Sequence, residues 1–171
     1  MRQFVFSLGV LLLALALQLC AQGPMRAAEG TVTTEADVAA IRTFLENNES
    51  VISSEDLDGW IDQFTDDAIF MRPDIEVLKG KEAGRESVRS WFDRFDVEFS
   101  VSVDEIEVFG DWAFARWSFT SKVTPKFGGE TTERAGKEIW ILKRQHDGSW
   151  KCSHIIYNYD SPPSKPTSKD R

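Results

Sequence analysis

The spacing of apolar positions changes along this chain, and each change marks an element. From 4 to 19 the apolar residues are almost continuous, with LLLALALQL as the densest run. From Glu35 to Ser53, the residues Val38, Ile41, Leu45, Val51 and Ile52 recur at near-helical spacing, with Phe44 beside Leu45, and predict a first helix. Thr34 is its N-cap, with Asp37 three residues on as a variant capping box. Ser54 precedes EDLDGWIDQF, a second short helix with Leu57, Trp60, Ile61 and Phe64 on one side, and Thr65-Asp66-Asp67 reads as its end. AIFMR reads as a short strand stopped by Pro73, and 73–80 as a loop. A third helix is predicted from about Lys81 to Phe95, with Val88, Trp91, Phe92 and Phe95 as its stripe.

The period then becomes two. Phe99, Val101 and Val103 alternate with Ser100, Ser102 and Asp104, and the run continues to Phe109. Gly110-Asp111 turns the chain into a strand over 112–124, and a second turn has Gly128-Gly129 at its tip. Two further strands, 131–145 and 150–159, are joined across His146-Asp147-Gly148-Ser149, a hairpin signal. Helices followed by a strand meander predict an α+β domain, with the helices on one face of an antiparallel sheet.

The two ends read differently. Arg2, the apolar run and the small residues Cys20, Ala21 and Gly23 have the layout of a cleavable secretory signal. The run is short for a membrane span, which needs roughly 20 residues, so no stable membrane anchor is expected. Cleavage is expected after Ala21, since a cut after Gly23 would set Pro24 beside the scissile bond. A lipid anchor on Cys20 is the rival reading, weakened by the bulk of Leu19 before it. The expected organisation is a signal peptide over 1–21, a linker over 22–34, a domain over 35–160 and a disordered Pro/Ser/Lys-rich tail over 161–171. The expected location is secreted or periplasmic.

Composition narrows the function. The net charge of −8 becomes −9 once Arg2 is removed with the signal, and no basic patch is visible, so no nucleic-acid partner is expected. Of the 2 cysteines only Cys152 stays in the mature chain, which rules out an internal disulfide and reads as a buried, inert thiol. The 6 Trp and 12 Phe suggest a large apolar cavity or a broad interface. No metal-ligand spacing, phosphate-cradling Gly-rich loop or nucleophile elbow is present, and no metal or cofactor is expected.

The segments DLDGWIDQFTDDAIFMRPD, GKEAGRESVRSWF, GDWAFARWSF and DGSWKCSHIIYN resemble the nuclear transport factor 2-like superfamily, in its SnoaL-like and ketosteroid-isomerase-like branch. The resemblance implies a cone-shaped (cystatin-like) roll: three N-terminal helices packed in a strongly curved antiparallel sheet, with an apolar pocket open at one end. It also implies a homodimer through the sheet's outer face. The ketosteroid isomerases place an aspartate general base directly before a proline; an ungapped match puts Arg72 there, before Pro73. Arginine keeps its proton at neutral pH, so that chemistry is disfavoured. The same match puts Asn48 at their tyrosine donor and Glu138 near their protonated aspartic acid.

Three readings of Arg72 stay open: a buried ion pair with Glu138, an anion site clamping the carboxylate of an otherwise apolar ligand, or a rim position in water. The match and strand parity place Ala115, Trp117, Phe119, Ser153, Ile155 and Tyr157 inward, with Trp140 sharing a face with Glu138, and Phe114, Arg116, Ser118, Cys152 and His154 outward. The ligand-binding set is therefore Asn48, Phe70, Arg72, Trp91, Trp117, Phe119, Trp140, Ile155 and Tyr157. Glu138 and His154 are the candidate acid/base groups, although His154 reads more readily as an interface histidine. Epoxide hydrolases of this superfamily use an Arg-x-Asp set; Arg116-Trp117-Ser118 has serine in place of the acid. The function expected is an exported domain binding a small apolar or amphipathic molecule. The alternatives are an acid/base enzyme acting on a ring substrate, or an oligomerising scaffold whose cone is filled by Trp117, Trp140 and Tyr157.

Overall fold

A computed structural model describes residues 35–160. The expected signal peptide, linker and tail, and the Thr34 cap, lie outside the described residues. Helix α1 (Glu35–Ser53) buries Ile41, Leu45, Asn48, Val51 and Ile52 along one stripe, as the helical spacing requires. Helix α2 (Leu57–Asp62) starts at Asp56, whose carboxylate accepts from the Gly59 amide at 2.9 Å. Strand β1 (Phe64–Met71) follows at once, and the two-residue strand β2 (Leu78–Lys79) pairs with it before helix α3 (Lys81–Phe92). Four long strands complete the domain: β3 (Phe95–Phe109), β4 (Trp112–Pro125), β5 (Thr132–Arg144) and β6 (Trp150–Tyr159). Among the described residues no helix is long and apolar enough to cross a membrane.

The six strands form one curved, unclosed sheet in the order β2-β1-β6-β5-β4-β3. Every pairing is antiparallel except β1 with β6, which run parallel, so the sheet is mixed rather than purely antiparallel. The helices cover its inner face. Helix α1 is tied to β3 by side-chain bonds to backbone: Glu49 accepts from the Val101 amide at 3.1 Å, and Ser53 accepts from the Phe99 amide at 3.2 Å. At its other end Asp37 meets Arg144 at 2.7 Å. The core between helices and sheet is largely aromatic, with Trp60, Phe64 and Phe70 in mutual ring contact and Trp140 against Phe64.

Some boundaries move from their sequence positions. Thr65-Asp66-Asp67 lies within β1, where the pairing with β6 is irregular between Phe64 and Ile69. Helix α3 ends at Phe92, and Phe95 opens β3 instead. Strand β2 falls in the segment expected to be a loop. Cys152 is not outward: it is fully buried, because the β5–β6 register slips between Ile141 and Leu142 and absorbs one residue of β6. Its thiol donates to the His154 carbonyl at 3.2 Å, and burial, followed by the nearby Glu138 carboxyl, pushes it well above its usual range.

Candidate functional site: a cone pocket with a neutral acid

Between the helices and the inner sheet face lies a cavity of about 430 Å³. Helix α3 supplies Ser87, Val88 and Trp91, α1 supplies Asn48 and Ile52, and the sheet supplies the opposite wall. The last inward positions of β6 are Ile155, Tyr157 and Tyr159. On β5, Arg134, Gly136, Glu138 and Trp140 recur every second residue and share that face. Gly136 has a steric reason: a Cβ there would overlap the Phe119 ring and the Asn158 carbonyl. Its absence lets Phe119 lie across β5 into the cavity.

Among the described residues, Glu138 is the only acidic one lining the cavity. It is 7 % exposed and accepts a hydrogen bond from Trp140 Nε1 at 2.7 Å. Burial dominates its titration and pushes it from 4.5 up to about 8, with the Trp140 bond opposing. At neutral pH it is therefore mainly a protonated acid that can donate a hydrogen bond into the pocket. Burial likewise holds the Tyr157 phenol above its ordinary value, so it too is a neutral donor. Asn48 is buried, and its side-chain oxygen accepts from Gln63 Nε2 at 3.3 Å.

Of the three readings of Arg72, the ion pair with Glu138 does not form. Arg72 donates to Ser87 Oγ on α3, while its Nε is buried and has no hydrogen-bond partner. Strand order explains the separation. Phe70 lies beside Ile155, so Arg72 is level with Tyr157, and Tyr157 is paired with Glu138. Arg72 and Glu138 are two strand spacings apart, about 10 Å, with Tyr157 between them.

Of the other expected ligand residues, Asn48, Phe70, Trp91, Phe119, Trp140, Ile155 and Tyr157 all line the cavity. Trp117 does not. It is fully buried behind the wall, edge-on to Trp140 at 5.5 Å and to Phe99 at 6.1 Å. His154 is also misplaced as a catalytic candidate. It lies half-buried beside Ile141 and Ile69 in the register, outside the cavity lining, with Nδ1 3.0 Å from Ser153 Oγ. Arg116 and Ser118 both bond Asp104, at 2.9 and 2.8 Å, away from the cavity. Sequence reasoning missed Trp60, Phe99, Arg94, Arg134 and Tyr159 in the lining. The signal for two of them was present: Arg134 shares the parity of Glu138, and Tyr159 that of Tyr157.

Residues 33–156 match the family described as SnoaL-like domain. The chain belongs to that family. The fold of this SnoaL-like domain is nuclear transport factor 2-like. A ketosteroid isomerase-like protein from Erwinia carotovora atroseptica is 25% identical at a TM-score of 0.70, covering 75% of this chain and 100% of its own. A conserved protein from Planctomyces limnophilus is 27% identical at a TM-score of 0.68, covering 74% and 99%. A putative scytalone dehydratase from Novosphingobium aromaticivorans shares the fold at 13% identity and a TM-score of 0.67, covering 74% and 85%. No curated protein matches the chain.

Proposed function

We propose that this SnoaL-like domain is an exported protein that binds a small apolar or amphipathic molecule in its cone, as a homodimer. The observation that carries the binding reading is the cavity itself. About 430 Å³ stays open although Trp140 and Tyr157 reach its wall, so these side chains do not fill it as a closed scaffold would require. The lining is mostly aromatic and aliphatic, with a few polar groups at separate points, which suits a ligand held by apolar contact and oriented by hydrogen bonds. The dimer reading is supported by the exposed Ile139, Ile141 and Ile156 on the outer sheet face, with Ile139 beside Ile156 in the register. Arg116 with Asp104 and Glu105, and Lys137 with Asp160, provide charges of both signs around that patch. A twofold operation can therefore set opposite charges against each other.

One observation favours a second reading, an acid/base enzyme: Glu138 is a neutral carboxylic acid facing open volume. The putative scytalone dehydratase and a hexachlorocyclohexane dehydrochlorinase from Novosphingobium barchaimii share the fold, the latter at 19% identity and a TM-score of 0.65. Against it, the base position of the isomerases holds Arg72, and His154 is outside the pocket. Native mass spectrometry of the protein from its own host tests the first reading. The expected species is a dimer of chains beginning at Gln22, each with a small-molecule adduct. Adduct-free protein whose tryptophan fluorescence is also unchanged by apolar probes would sink the binding reading. Turnover that vanishes in Glu138→Gln while ligand binding survives would favour the enzyme.

A further inference from the structure

The chain is strongly acidic, with a net charge of −8. The cavity has the opposite character. Arg72, Arg94 and Arg134 all line it, and the acid among its lining residues, Glu138, is buried and hydrogen-bonded by Trp140. Elsewhere four of the described arginines pair with carboxylates: Arg85 with Asp58, Arg89 with Glu86, Arg116 with Asp104 and Arg144 with Asp37. Among the described residues none of the three cavity arginines is in an ion pair. Arg94 donates to the Ser90 carbonyl and lies over Phe95, Arg134 lies over the Tyr159 ring, and Arg72 bonds a serine hydroxyl.

Their placement is directional. Arg134 precedes Glu138 by four residues on one face of β5, about 13 Å toward the start of the strand. Arg94 immediately precedes β3, whose first residue pairs with the last of β4. Both therefore lie toward the same end of the sheet. Arg72, just past the end of β1, has a buried Nε–H with no acceptor, although a guanidinium has five donors in a fixed fork. A buried, unmatched donor beside an open cavity points to an acceptor that the bound molecule brings.

We propose that the ligand is an organic anion: a carboxylate on an apolar body, its head group held by Arg72 and drawn in by the charges of Arg94 and Arg134. This rests on the binding reading above and names the ligand's chemistry. The fork of Arg72 matches a carboxylate in shape, and one of its arms is the unpartnered Nε–H. The rings of Phe70, Trp91 and Phe119 give the apolar body its contact. The cationic lining also concentrates anions locally against the repulsion of the acidic exterior, an effect that weakens with salt.

Calorimetric titration of the purified protein with three eight-carbon probes tests this: octanoate, 1-octanol and octylammonium. Octanoate is expected to bind at least about tenfold more tightly than 1-octanol, and octylammonium more weakly than either, as one charge-assisted hydrogen bond implies. In Arg72→Met the preference for octanoate over 1-octanol is lost while 1-octanol still binds, which also shows the variant is folded. If 1-octanol binds as well as octanoate, if octylammonium binds best, or if Arg72→Met keeps the preference, the anion assignment is wrong and the apolar pocket stands. If none of the three binds, the binding reading falls and the anion assignment with it.

Discussion

Glu138 carries the largest consequence of any single side chain. Its folded value of about 8 lies above its ordinary 4.5, so the folded chain holds a proton that the unfolded chain releases. Its favourable contribution is therefore complete below about pH 4.5 and is lost as pH rises through about 8. The size of the loss is on the order of 5 kcal/mol. Glu138→Gln keeps the shape and cannot ionise. Urea unfolding should give similar stabilities for variant and parent at pH 5 and a variant several kcal/mol more stable at pH 9; a difference that did not change with pH would refute the assignment. The resemblance to the isomerases pointed to Glu138, and regular alternation along β5 keeps it on the inner face. The sequence did not separate Glu138 from Arg72, because parity reports which face a residue is on and not how many strands lie between two residues on that face. Tyr157 occupies that interval.

At the level of elements, glycine positions set how closely helix and sheet approach. Gly84 in α3 is buried directly over Phe70, and a Cβ there would overlap the ring. Gly84→Ala improves helix propensity by about 1 kcal/mol, but the overlap costs about 1–3 kcal/mol. The phenyl ring is held against Trp60 and Phe64, so it can yield only towards the cavity. A net loss of about 1 kcal/mol is expected, read as a lowered melting temperature, with a weaker fit for any pocket ligand. An unchanged or raised temperature would mean that the helix slides freely. Most helices and strands were legible because their apolar periods are long and unbroken. Strand β6 matches its predicted bounds, and α1 does too. The failures sit where local signals compete with tertiary pairing. Thr65-Asp66-Asp67 looks like a helix end and is strand, in a stretch where the pairing with β6 is irregular. Cys152 breaks parity because a register slip leaves no mark in the composition.

Over the whole domain, the outer sheet face is the surface on which the proposed dimer depends. Replacing both Ile139 and Ile156 with Lys should turn the proposed dimer into a monomer in sedimentation velocity, with octanoate binding kept, since neither side chain lines the cavity. A parent protein that already sediments as a monomer would end the dimer reading. The parallel pairing of β1 with β6 has a separate consequence, in time rather than space. Phe70 lies beside Ile155, so one of the first strands to be synthesised waits for one of the last segments. The nascent chain cannot complete its sheet until β6 has emerged from the ribosome. Long-range closure of this kind is slow, and until then the chain is still threadable.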